Sequence, residues 1–527
     1  MSNLNLHKHL LLAALLVNLW IPAVMVRATD PDVAVNPEPA TVPAEPTEGA
    51  KSTTVENSVV KVFSTTRYPE LYRPWTKAAP TEVTGSGVVI EGKRILTNAH
   101  VVRYASQVQI QANQAGDKVS ATVEAMAPGI DLAVLKLEDE SFFDSHPALP
   151  RASTLPEIRE SVIAYGYPKG GETLSVTKGI VSRIEFAAYS FSVAGLRIQI
   201  DAAVNPGNSG GPAVVGEKMI GLVFSHDGSA EKVSYIIPCE EIELFLHDIA
   251  GGHYEGKPAM YDYLQTLENP ALRSFLKLDK SVEGMVVHTP DRTDADYPLK
   301  KWDFITRIGA TPIDDQGMIK LGPNLSVRFQ YLVQKIARDG KVPLTVVRAG
   351  KTLSIELPVS PSRPMVIGPL EGAYPAYFVY GPLVFSTASM EYVSGLGSSG
   401  GIRLLASMES PLIKRLTDKP AFKGEGLVVV SSPFFPHKLA KSYGNPASQV
   451  VKTINGIAIK NLHHLVEVLR DCKDEFIVIE FDGRGGETLV FARAELLAAT
   501  DEILTDNGVR SQGSADTMAI WNAKAGE

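Results

Sequence analysis

The sequence predicts a mainly β protein: an antiparallel barrel or sandwich first, then two smaller α+β modules. Three observations point there. From Val59 to about Ile249, short apolar runs rich in valine and isoleucine alternate with turn residues, without long helical patterns between them. Downstream, one order of elements occurs twice, which implies two copies of a single module. The composition, 44% hydrophobic and 21% charged, suits folded domains. A length of 527 residues fits about three domains at roughly 100–200 residues each.

The elements follow in chain order. MSNLNLHKH is polar and carries Lys8, and residues 10–26 then run without a charge. Val26 and Ala28 offer small residues at the −3 and −1 positions of a cleavage site. Residues 1–28 therefore read as a secretory signal peptide, which predicts an exported protein, periplasmic or extracellular. The alternative is an N-terminal membrane anchor. The run is at the short limit for a span, and Asn18 and Pro22 interrupt it. No later segment is long and apolar enough for a stable membrane span. Residues 29–57 are rich in Pro, Glu, Ala and Thr and lack aromatics, so they read as a disordered linker.

Residues 58–252 carry the strands, among them VVKVF, GSGVVIEGKRILTNAHVV, LAVLKL, GIVSRI, LRIQIDAAV and KMIGLVF; EEIELFLHDIA, 240–250, has helical spacing and closes the region. The repeat occupies 258–360 and 365–498, with a C-terminal tail at 499–527. WDFITRIGATPI, 302–313, matches SQVVKTINGIAI, 448–459. Each is followed by an amphipathic helix, FQYLVQKIARDG or LHHLVEVLRDC, and then by a hairpin. GLGSSG, 395–400, follows no clear strand and reads as a loop, and GKT, 350–352, as a hairpin turn, since Thr345 stands where a phosphate loop needs glycine.

Several function classes drop out. The net charge is −8 and no basic run stands out, so nucleic acid is not an expected partner. Cys239 and Cys472 lie in different predicted domains, so no disulfide is expected. There is no HExxH, and two cysteines alone do not make a zinc site, so neither metal nor cofactor is expected.

One stretch points to chemistry. GNSGGP, 207–212, sets Ser209 among glycines, which fits a tight turn or close approach by another molecule. A serine hydroxyl attacks a carbonyl only with a base beside it and a third group orienting that base. His100 follows an apolar strand in LTNAHVV, and Asp131 precedes another in GIDLAVLKL. Of three familiar arrangements of such a triad, only the chymotrypsin type runs His, Asp, Ser. Backbone N–H groups near Ser209 would then stabilise the oxyanion, with Gly207 and Ser209 as donors and Asn208 between them. The position that carries Asp in trypsin-like enzymes selective for Lys or Arg is Ala203 here, and Val204 with Leu222, Val223 and Phe224 would make apolar pocket walls. That predicts cleavage after small or medium apolar residues, or after very small ones if Phe224 fills the pocket.

In this order, GSGVVI, TNAHVV, DLAVLKL, GYPKGG, VTKGIVSRI, DAAVNPGNSGGP and MIGLVF resemble the HtrA/Deg family of serine proteases. LQTLENPALRSFLKL, 264–278, and PAYFVYGPLVFS, 375–386, resemble its plant Deg branch. The resemblance implies a chymotrypsin-like double β-barrel followed by PDZ-like domains. It implies a triad of His100, Asp131 and Ser209, an oxyanion hole from the backbone of Gly207, Asn208 and Ser209, and ATP-independent proteolysis of unfolded or misfolded polypeptides. It also implies a homo-oligomer, a trimer or a multiple of trimers. Tyr68, Tyr72 and Trp75 in RYPELYRPW, 67–75, stand where trimer contacts would arise, or pack on their own barrel. PDZ-like modules take extended peptide segments as an added strand. Tyr261, Asp262, Tyr263 and Leu264 are the nearest counterpart of a carboxylate loop in the first module. The second module departs further from the pattern and reads as an assembly element.

Overall fold

The computed structural model describes residues 54–523, apart from 114, 191–192, 226–233, 280 and 399–400. The predicted leader and most of the linker lie outside the described residues. The linker's last residues form a helical turn, Thr54–Asn57, which buries Val55 against the barrels. Among the described residues, no helix is long and apolar enough to cross a membrane.

Two closed six-stranded barrels follow. The first comprises β1 (Val59–Thr66), β2 (Thr81–Ile90), β3 (Arg94–Thr97), β4 (Ala105–Ala112), β5 (Val119–Ala127) and β6 (Leu132–Leu137). Its order around the barrel is β1-β2-β3-β6-β5-β4. The second comprises β7 (Ser161–Gly166), β8 (Ser175–Ser190), β9 (Val193–Ile200), β10 (Pro212–Val215), β11 (Lys218–Ser225) and β12 (Ser234–Pro238), in the order β10-β11-β12-β9-β8-β7. Closure removes the free edges that an open sheet would present. The side-chain pattern follows burial. In β6, Ala133 and Leu135 face the first barrel's interior while Leu132 and Val134 join a core shared with the second barrel. Being buried on both faces, this strand reads as a continuous apolar run instead of alternating. The helix Cys239–Ile249 then lays Ile242, Phe245 and Leu246 onto that shared core.

The two modules repeat one sheet plan. The first runs from the edge strand Tyr263–Thr266 through Met285–Thr289, Phe304–Ile308 and Lys341–Arg348 to Lys351–Pro358. The second runs through Leu383–Thr387, Val428–Val430, Val450–Ile454 and Phe476–Asp482 to Leu489–Ala492. It adds one strand, Tyr377–Tyr380, outside Leu383–Thr387.

Two expectations need correction. GLGSSG is not simply a loop: residues 395–398 end the helix Met390–Ser398, where Tyr392 and Val393 bury against Val366, Leu405 and Leu412. Nor are residues 499–523, the described part of the expected C-terminal tail, without regular structure. Arg493–Asp506 and Ala515–Asn522 are helices. Leu496 and Ile503 are buried, and Trp521 packs against Phe378 at 5.1 Å and Tyr380 at 6.0 Å. Their apolar residues complete the second module's core, which a solvated tail would leave exposed.

Candidate active site

His100 lies on the helical turn Ala99–Val102, directly after β3. Val101 and Val102 anchor the turn in the first barrel's core, and the Ser64 hydroxyl donates to the Val101 carbonyl. Asp131 precedes β6 and has φ 57°, a left-handed conformation that aspartate tolerates better than most residues. There its carbonyl accepts from Ala99 N at 3.2 Å and Asn98 Nδ2 at 2.9 Å. Its carboxylate accepts from His100 N through Oδ1 at 2.9 Å, and Oδ2 lies 2.7 Å from His100 Nδ1. Main chain and side chain of Asp131 thus both hold the His100 turn, and the ring's other nitrogen, Nε2, is left as the candidate proton acceptor. Burial pulls the imidazole pKa down, but the hydrogen bond and charge of Asp131 together outweigh it, so His100 titrates above its ordinary value.

Ser209 sits in the loop between β9 and β10 and is buried. The first barrel grips this loop. Ser86 N donates to the Ser209 carbonyl at 2.8 Å, and Thr97 Oγ1, at the end of β3, donates to the Ser86 carbonyl at 2.7 Å. The Ser209 loop is thereby tied to the strand that feeds His100. The glycines are sterically required. Gly207 has φ +101° and Gly210 +89°. A Cβ on Gly210 would lie 2.0 Å from the Ser86 carbonyl oxygen, and one on Gly207 2.4 Å from Lys169 N.

The loop's peptide groups have fixed directions. The Pro206 carbonyl accepts from Lys169 N at 2.7 Å, and the Gly207 carbonyl accepts from Ser86 Oγ at 2.8 Å. In a trans peptide the C=O and the following N–H point oppositely. The Gly207 N–H is therefore turned away from Lys169, and it has no acceptor among the described residues. The Asn208 N–H is taken by the Asn205 carbonyl at 3.0 Å. Reading the sequence for nucleophile and base missed Ser86, Thr97 and Lys169. The signal available was GSG at 85–87, a serine between glycines inside an otherwise apolar strand.

Of the residues expected to form a pocket, Ala203 is exposed, Val204 is half-buried, and Leu222, Val223 and Phe224 are buried. Leu222 and Phe224 face the shared core, where Phe224 stacks on Tyr189 at 5.6 Å and Tyr235 at 6.0 Å. In the first module, Tyr263 is 53% exposed and starts the edge strand. Asp262 accepts from Asp291 N at 2.9 Å and from the Tyr297 hydroxyl, and desolvation raises its pKa. Tyr68 packs on Tyr104 of its own barrel, whereas Tyr72 meets Tyr392 and Trp75 meets Phe435, both in the second module. Both cysteines are free. No group of side chains suited to a metal ion occurs among the described residues.

With this geometry in view, the chain matches the trypsin-like peptidase domain family over residues 85–222 and the PDZ domain family over residues 370–516. It is 34% identical over 470 residues to protease Do-like 2, chloroplastic, of Arabidopsis thaliana, covering 88% of this chain and 75% of that protein. It is 32% identical over 480 residues to protease Do-like 4, mitochondrial, of the same plant, covering 90% and 88%. Among solved structures, the HtrA-type protease AlgW with a tripeptide aligns at TM-score 0.46 and 24% identity, over 59% of this chain and 96% of that one.

Proposed function

Because the chain belongs to the Do-like (HtrA/Deg) family of serine endopeptidases, we propose that it cleaves unfolded or damaged polypeptides without ATP, through an acyl-enzyme formed on Ser209. His100 Nε2 takes the hydroxyl proton as Ser209 Oγ attacks the scissile carbonyl. Asp131 holds the ring's tautomer and stabilises the imidazolium that forms. The N–H groups of Gly207 and Ser209 receive the oxyanion, with Asn208 as the spacer between them; one such donor contributes roughly 2.7–4 kcal/mol. His100 then protonates the leaving amine, and water, deprotonated by the same ring, releases the acyl group.

The observation that carries this reading is the His100–Asp131 contact of 2.7 Å beside a serine loop bonded to the same barrel. The outward-bound Pro206 carbonyl supports an oxyanion hole formed at rest. An uncharged Ala203 supports cleavage after small or medium apolar residues, a preference that discriminates weakly, by about 1–3 kcal/mol per methylene. The first module takes an extended peptide along Tyr263–Thr266, next to Tyr261 and Asp262. The protein assembles as a trimer or a multiple of trimers. The apolar leader directs it across a membrane; the relatives named chloroplastic and mitochondrial make an organelle the competing destination.

The test is digestion of unfolded casein in nucleotide-free buffer by the wild type and by Ser209→Ala. Cleavage by the first and none by the second is expected. Cleavage that persists in Ser209→Ala would refute the assignment of the nucleophile. A wild type that never cleaves, even with added peptide, would favour a peptide-binding chaperone.

A further inference from the structure

We propose that the second PDZ-like module is a positioning element for His100, acting through Glu391 on Arg103. This rests on His100 being the general base. Arg103 closes the His100 turn, its N–H donating to the Ala99 carbonyl at 2.7 Å. Its guanidinium reaches across the fold to Glu391 at 3.2 Å, the only carboxylate paired with it among the described residues. Glu391 is itself held, because both its oxygens accept from Leu370 N at 3.0 Å.

The next residue, Tyr104, is gripped as well. It has φ 60°, a backbone region that a bulky side chain occupies only when its surroundings impose it. Its ring lies between Tyr68 at 5.1 Å and Tyr374 of the second module at 5.4 Å. Its hydroxyl donates to the Ala373 carbonyl at 3.3 Å, and the Tyr374 hydroxyl donates to the Arg67 carbonyl at 2.8 Å. Farther along the same contact, Trp75 packs on Phe435 at 5.1 Å. One side of the His100 turn is therefore fixed by Asp131 and the other by a module remote in sequence. A base must sit within about half an ångström of its working position, so loosening one grip lowers the rate of the chemical step more than it weakens substrate binding.

The experiment uses the full chain and a short chromogenic peptide too small to reach either module. The kcat and KM of the wild type, Glu391→Ala, Arg103→Met and the double variant are compared; Arg103→Met leaves the module's own residues intact. Each single change is expected to lower kcat about tenfold with KM within twofold, and the double variant to be no slower than the slower single one. The emission lost on adding Trp75→Phe to each variant, which isolates Trp75 from the other tryptophans, reports whether the module stays docked. A wild-type kcat in both Glu391→Ala and Arg103→Met, or losses that multiply in the double variant, would overturn the positioning role alone. A wild type with no activity would overturn it together with the protease reading.

Discussion

The two PDZ-like modules share a sheet plan and differ at one edge. In the first, Tyr263–Thr266 ends the sheet, and no strand pairs with its outer side among the described residues. In the second, the equivalent strand Leu383–Thr387 is covered by Tyr377–Tyr380. That strand is covered in turn by the chain's C-terminal segment. Val379 N donates to the Gln512 carbonyl at 2.7 Å, Ser514 N donates to the Tyr377 carbonyl at 3.0 Å, and Gln512 Nε2 returns a bond to the Val379 carbonyl at 3.0 Å. A peptide-reading module works by offering an unpaired edge. The first module keeps its edge, and the second has filled it with its own chain. The modules also dock differently. The first meets the protease at buried Glu241, whose Oε1 accepts from Gln334 Nε2 at 2.9 Å while Lys257 Nζ, in the segment joining the two domains, lies 2.5 Å from its Oε2. The second meets it through three tilted pairs of aromatic rings and the Arg103–Glu391 pair. A shared fold therefore leaves the two modules with different surfaces, and the state of one strand edge is what separates them.

The comparison can be broken most severely at Glu241. Its side chain is 0% and that of Lys257 7% exposed, so Glu241→Ala leaves a buried ammonium without its counter-charge. A loss of about 3–5 kcal/mol is expected by chemical denaturation. A loss under about 1 kcal/mol would mean that Glu241 is not what secures the first module. Next comes Trp521→Ala, which removes the ring lying against Phe378 and Tyr380. Trp521 is only half-buried, so the expected cost is about 2–3 kcal/mol, below the ~3–5 kcal/mol of a fully buried aromatic. Exchange of the amide hydrogens of residues 377–380 should accelerate with it. Unchanged protection there would show that the C-terminal segment does not seal that edge.

A smaller effect is expected at the open edge. Leu264→Lys should weaken binding of an unstructured fluorescent peptide about tenfold, equivalent to ~1.4 kcal/mol. The matching substitution Val384→Lys, inside a buried strand, should impair folding of the second module instead. Equal losses of affinity from both would erase the distinction between the modules. The smallest effect, a shift of profile, concerns pH. The proposed base acts only when neutral, and its pKa is raised from 6.5, so kcat/KM should rise with pH through a value above 6.5 and flatten beyond it. The stability linkage has the opposite sense: the protonated His100–Asp131 pair adds stability below about pH 6.5 that is lost as pH climbs through the raised value. Asp131→Asn, which removes the charge that raises the His100 pKa, should move the acid limb down. A limb that stays in place would separate His100 from the rate.

Much of this was legible in the residues. The Val- and Ile-rich runs marked the barrels, because a strand's burial is written in its side chains at a period of two, or continuously where both faces are covered, as in β6. The settings and order of His100, Asp131 and Ser209 singled them out as candidates, and the contact between His100 and Asp131 lies where their order suggested. The glycines at 207 and 210 were conspicuous because only the smallest residue fits beside the Ser86 carbonyl and Lys169. Other features left no local mark. Tyr68, Tyr72 and Trp75 looked alike in sequence, yet one packs on its own barrel and two on the second module. Residues 499–523 read as a tail because the helix Ala515–Asn522 is weakly patterned and its partners, Phe378 and Tyr380, lie far back along the chain.

By itself, the sequence determined the class of fold, the repetition of the module and the candidates for the reactive groups. Each of these is a local matter of side-chain period, turn chemistry and functional group. Only the tertiary structure decided which strand edge stays open, which way the Pro206 carbonyl points, and that Glu391 reaches the turn carrying His100. These depend on contacts between distant parts of the chain, and such contacts are selected by how the whole core closes, with little trace in the residues flanking either partner.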